Sequence, residues 1–97
     1  MKNYAITIID ENNSLSLDEI CRAIHADHDL MIQLIDYQII QPKGSKNNWA
    51  FDHLCLKRAR LARNFYYDLE VNLAGIGLLI DMMEKIEALE MAMVQTK

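Results

Sequence analysis

The chain has one proline and three glycines in 97 residues, with two cysteines, one tryptophan and 7% aromatic residues. So little glycine and proline excludes a loop-rich or many-turned β protein, because tight turns depend on those residues. Two cysteines far apart in sequence do not make a disulfide scaffold. Cations are the minority: Lys and Arg number 10 against 14 Asp and Glu, for a net charge of -4. Phosphate is bound by a cationic footprint, so nucleic acid is a disfavoured partner. The apolar runs fall far short of the roughly 20 residues that cross a bilayer. The first residues lack the cationic and apolar regions of a signal peptide. Two thiols and six methionines suit a reducing compartment. A cytoplasmic protein without a membrane span is expected.

What is present is hydrophobicity. Apolar residues make up 52% and charged residues 25% of the chain, a composition that folds. A domain of this length buries roughly 60–65% of its unfolded surface, so its core is modest and dimerisation would help. The larger α/β catalytic domains do not fit.

Residues 4–9 are β-prone and end at Asp10-Glu11-Asn12-Asn13, which predicts one short strand and a turn. Ser16 followed by Glu19 forms a capping box, and Leu15 with Ile20 forms a hydrophobic staple. Helix is expected over 17–25. Asp27 can cap a second helix, in which Leu30, Met31, Leu34 and Ile35 repeat at helical spacing up to about Tyr37. Pro42 keeps the residue before it extended. The loop-like stretch 42–48 lies between Ile39-Ile40 and Trp49-Ala50-Phe51, which predicts a small hairpin, or wing. Trp49 and Phe51 are expected to pin it to the core. Asp52 can cap a third helix to about Tyr66, with Leu54, Cys55, Leu61, Ala62 and Phe65 inward.

Lys57, Arg58, Arg60 and Arg63 crowd this third helix, where a solvated face with internal pairs to Asp68 or Glu70 is expected. Asn72 is the expected cap of a fourth helix running towards the end of the chain. It is apolar nearly all round over 73–83, which predicts burial on more than one side. Leu79, Met82, Ile86, Leu89 and Met93 then recur at spacings of three and four, a seam of about two heptads suited to dimerisation. Ala74-Gly75-Ile76-Gly77 lies inside this helix, where small residues permit close packing. The division expected is one domain, with a core over 1–71 and a dimerising helix over 72–97.

Cys21, His25, His28, His53 and Cys55 lack the usual zinc spacings, and no third group orients a Cys–His pair for catalysis. No metal, cofactor or enzymatic activity is expected.

The order of elements resembles the MerR-like winged helix-turn-helix. The likeness falls on Leu34-Ile35-Asp36-Tyr37-Gln38-Ile39-Ile40-Gln41-Pro42, where that superfamily has a tyrosine-containing helix end and then Gly-Leu-Ile-x-Pro. Trp49-Ala50-Phe51-Asp52 stands where it has an aromatic pair leaving the wing. A mainly α fold of that kind follows, with a short N-terminal strand, a β wing and a long C-terminal dimerising helix. A narrower resemblance runs through Trp49-x-Phe51-Asp52, Arg58-Ala59-x-Leu61, Asp68-Leu69-x-x-Asn72-Leu73-Ala74-Gly75-Ile76 and Met83-Glu84-Lys85-Ile86-Glu87-Ala88-Leu89. These look like the chaperone modulatory proteins called CbpM. That resemblance implies binding to the J-domain of a DnaJ-like, CbpA-type co-chaperone and inhibition of its activity towards Hsp70.

A J-domain carries a basic helix, so carboxylates would meet it. Asp27, Asp29 and Asp36 on the second helix are candidate contacts, with Tyr66, Asp68 and Glu70 at the junction of the third and fourth. Asp27 also has a plain structural reading as a cap, and Asp68 and Asn72 as turn-forming residues. A MerR-like DNA-binding regulator is the alternative. Its recognition helix would open with Asp27-His28-Asp29 and contain no Lys or Arg, a poor match to phosphate. A third reading is an interaction subunit of another assembly, using the seam 79–93.

Overall fold

The computed structural model describes residues 14–95. Four helices follow in order: α1 over Leu17–Ile24, α2 over His28–Asp36, α3 over His53–Asp68 and α4 over Leu73–Gln95. The expected strand over 4–9 lies outside the described residues.

Local chemistry sets each helix start. Ser16 Oγ accepts from the Glu19 N–H at 3.2 Å, and Glu19 Oε1 accepts from the Ser16 N–H at 2.8 Å, closing the capping box of α1. Asp27 and Asp52 cap α2 and α3 by accepting from the N–H groups of Leu30 and Cys55, at 2.8 and 2.9 Å. Asn72 Oδ1 accepts from the Gly75 N–H at 2.8 Å at the start of α4. α1 stops at His25, whose left-handed backbone lets the Ala26 N–H reach the Cys21 carbonyl at 3.0 Å. That leaves the short turn of a helix-turn-helix before Asp27.

The core is one cluster. Ile20, Cys21 and Ile24 from α1 meet Leu30, Met31 and Leu34 from α2, then Ile39, Ile40 and Phe51 from the α2–α3 linker. α3 contributes Cys55, Leu56, Ala59 and Ala62, and α4 contributes Ile76 and Ile80. Gly77 faces Ile39, where an added Cβ would sit 3.5 Å from its Cγ1, so α4 lies close against the linker.

The structure departs from three expectations. The wing is not a hairpin of strands, since the described residues contain only isolated bridges, Lys43 with Ala50 and Leu15 with Phe51. Pro42 has no N–H to extend the ladder on one arm, and the other arm ends at Asp52, already the cap of α3. Between the arms, Lys46–Asn48 winds into one 3₁₀ turn. Gly44, at φ +89°, serves that turn: an added Cβ would meet the Asn48 carbonyl oxygen at 2.7 Å. Leu54, expected inward, is 50% exposed, and Leu56 and Ala59 take the inward positions. The first half of α4 buries Ile76 and Ile80 but leaves Leu78, Leu79 and Met82 exposed, so it is covered on one side.

Candidate partner interface

α2 turns Leu30, Met31 and Leu34 into the core, which leaves His28, Asp29, Gln33 and Asp36 facing outwards. Asp29 and Asp36 are two helical turns apart, on one side of α2 and roughly 10 Å from each other along its axis. Among the described residues neither forms an ion pair. Asp27 is exposed as well, but its carboxylate is engaged as the helix cap. Two further residues widen this surface. Asp18 of α1 meets His28 Nε2 at 2.7 Å, and Tyr37 is exposed directly after Asp36. Asp18 was hidden in the sequence by its role as a first-turn acidic residue of α1, and Tyr37 by its place at a helix end.

The second group sits at the far end of α3. Tyr66 packs partly against the core, and its ring meets that of Tyr67 edge-on at 5.4 Å. The Arg63 guanidinium lies 5.2 Å from the Tyr67 ring centre, and Arg63 Nε donates to the His25 carbonyl at 3.4 Å. This end of α3 therefore adjoins the α1–α2 turn and Asp27. Asp68 is the last residue of α3 and exposed. Glu70 has a left-handed backbone at φ 54° where the chain reverses into α4. Asp36 lies about 13 Å along α2 from Asp27. The expected contacts thus divide into a stripe, Asp29 and Asp36, and a junction, Tyr66, Asp68 and Glu70, with Asp27 between them.

The α3 cations do not pair with Asp68 or Glu70. Arg58 donates through Nε to the Ile39 carbonyl at 2.6 Å and through its terminal nitrogens to Glu84 at 2.6 Å and Asp81 at 3.2 Å. Lys57 meets Glu87 at 3.5 Å. Spacing along α3 pointed to the nearest acids in sequence, but the reversal at Glu70 lays the acids of α4 alongside instead.

Along α4 the seam residues are all exposed, from 37% at Leu79 to 69% at Met93, with Met82, Ile86 and Leu89 between these values. Around the helix, Leu79 lies about 60° from Ile76 and the other seam residues about 80° or more.

The remaining titratable groups suit structural roles. Burial is the main cause that pushes the Cys21 and Cys55 thiols above their ordinary pKa, so both stay protonated and poorly nucleophilic at neutral pH. The hydrogen bond from the Cys55 backbone holds Asp52 below the ordinary carboxylate range. Among the described residues no three His, Cys, Asp or Glu side chains are grouped to hold a metal ion, and no helix is long and apolar enough to cross a membrane.

A capped helix-turn-helix, a buried aromatic leaving a shortened wing and a long terminal helix define a class. Residues 15–97 match the family model of the MerR HTH family regulatory proteins. The chain is 42% identical over 84 residues to the chaperone modulatory protein CbpM of Coxiella burnetii, which covers 86% of this chain and 79% of that protein. It is 22% identical over 76 residues to the CbpM of Pseudomonas putida, covering 77% of this chain and 75% of the relative. The chain therefore belongs to the MerR-like family and, within it, to the CbpM-type chaperone modulatory proteins.

Proposed function

We propose that this protein is a non-enzymatic modulator that binds the J-domain of a CbpA-type co-chaperone and restrains its activity towards Hsp70. One observation supports the reading above the others: the outward face of α2 carries Asp29 and Asp36 without a Lys or Arg on the helix or an ion-pair partner for either carboxylate among the described residues. A basic helix laid along that face meets two unneutralised carboxylates about two turns apart. Such complementarity sets orientation and association rate more than raw affinity. Occupying the basic helix would withhold it from Hsp70, which is how binding becomes inhibition. The names of the relatives, chaperone modulatory proteins, favour the same reading.

The test is calorimetric titration of the cognate J-domain into the full chain and into the double variant Asp29→Lys, Asp36→Lys. Both positions are exposed and neither caps a helix, so the fold should hold, with circular dichroism as the check. Affinity should fall by roughly tenfold or more, and the wild-type affinity should itself weaken as salt rises. An unchanged affinity would remove this face from the interface. Charge reversal of Asp27 is less informative, because it also removes the α2 cap.

The exposed seam of α4 serves, in this reading, as the surface on which a second copy docks. Residues 72–97 are then the dimerising part and 1–71 the binding part of a cytoplasmic homodimer. Two heptads of Leu, Met and Ile match a short antiparallel or parallel helix pair.

A further inference from the structure

A cleft of about 440 Å³ opens between the linker 38–41, the first turns of α3 and Asp81 of α4. The linker starts directly after Asp36 and Tyr37, so the cleft lies at the C-terminal end of the α2 face. Its charged lining is two carboxylates and one guanidinium. Asp81 is exposed, and Asp52 lines the cleft as the cap of α3. Arg58 also lines it, but its side chain is only 15% exposed and donates to Ile39, Glu84 and Asp81. Two carboxylates thus answer that one guanidinium, and Asp52 adds another, partly offset by nearby Lys43 and His53. Leu54 also lines the cleft, half-exposed although it is a large apolar residue in the first turn of a helix. Carboxylates and a half-exposed leucine lining one cleft match a long side chain with an aliphatic stem and a cationic head, the character of lysine and arginine.

We propose that this cleft receives one Lys or Arg side chain of the J-domain's basic helix, its stem against Leu54 and its charge beside Asp81 and Asp52. The inference rests on the J-domain reading and adds an anchor to it. The flat part of the α2 face orients the helix, and the cleft fixes its register. An interface core is where a single inserted side chain has its largest effect.

The test is the substitution Leu54→Lys, which places a cation at the cleft mouth, and the milder Leu54→Ala. Leu54 is half-exposed, so both variants should fold, with thermal unfolding by circular dichroism as the control. In titrations of the CbpA-type J-domain, Leu54→Lys should weaken binding roughly tenfold or more and Leu54→Ala by a smaller factor, mainly through faster dissociation. A scan of the J-domain's basic residues to Met should then find one whose loss is no longer felt in the Leu54→Lys background, the signature of a coupled pair. If Leu54→Lys binds like the wild type while the Asp29, Asp36 double variant loses binding, the cleft is not an anchor and the α2 reading stands. If the wild-type chain does not bind the J-domain, the reading beneath the cleft fails, and the cleft assignment falls with it.

Discussion

Ile80 and Ile86 stand six residues apart on the same helix, yet Ile80 is 0% exposed and Ile86 is 53% exposed. The proximal part of α4 is held from three directions. Ile76 and Ile80 enter the core, Gly77 lies close to Ile39, and Arg58 ties Asp81 and Glu84 to α3 and the linker. Beyond Glu84, Lys57–Glu87 is the one ion pair to α3 among the described residues, and both partners are more than half exposed. An exposed pair of that kind contributes little. Apolar content does not separate the two parts, because both are rich in Leu, Ile and Met. What separates Ile80 from Ile86 is first the face, since six residues turn the helix by about 120°, and then the reach of α3, whose Lys57 meets α4 as far along as Glu87.

The contrast breaks most sharply at Ile80. Ile80→Ala should destabilise the protomer by about 2–5 kcal/mol, the usual cost of truncating a fully buried aliphatic side chain. The expected result is a lower denaturation midpoint at every protein concentration. A smaller effect follows at the clamp. Arg58→Met removes the bond to the Ile39 carbonyl and leaves Glu84 partly buried without its cation, a loss of about 1–3 kcal/mol. Hydrogen exchange should then show the proximal turns of α4 exchanging more like the distal ones. An unchanged exchange pattern would mean that Ile76 and Ile80 alone fix the helix. The smallest change in protomer stability is expected at Ile86. At concentrations where the chain is monomeric, Ile86→Lys should shift stability by less than about 0.5 kcal/mol, as is usual for exposed positions. Light scattering at higher concentration should nevertheless read half the wild-type mass. A variant that keeps the wild-type mass would sink the seam as the dimer surface.

The acidic stripe and the cleft differ in how they could be seen beforehand. Asp29 and Asp36 were legible, since a helix with no Lys or Arg and with carboxylates seven residues apart shows its outward face through periodicity alone. The cleft was not, because Asp52, Leu54, Arg58 and Asp81 come from two helices, and the linker at 38–41 closes it. Leu54 shows why. Spacing along α3 admits two inward faces, one including Leu54 and one including Leu56 and Ala59, and only the position of the neighbouring helices decides between them. Tyr66 was likewise placed at a partly exposed helix end, but its contact with Tyr67 and the tie of Arg63 to His25 depend on the α1–α2 turn lying beside α3.

The helix starts are set by residues adjacent in the chain. Ser16, Asp27, Asp52 and Asn72 act on N–H groups three residues ahead, so the interaction is complete within one turn and needs no other element. The sequence also sets which residues of α1 and α2 enter the core, because short helices with one apolar stripe have one way to bury it. Tertiary structure alone decided the rest. Arg58 finds acids 23 and 26 residues away, the wing shrinks to a bridge around a 3₁₀ turn, and α4 is covered on one side for part of its length. Each of these depends on where a distant segment comes to lie, and that is set by the packing of all four helices around one core rather than by any residue's neighbours in the chain.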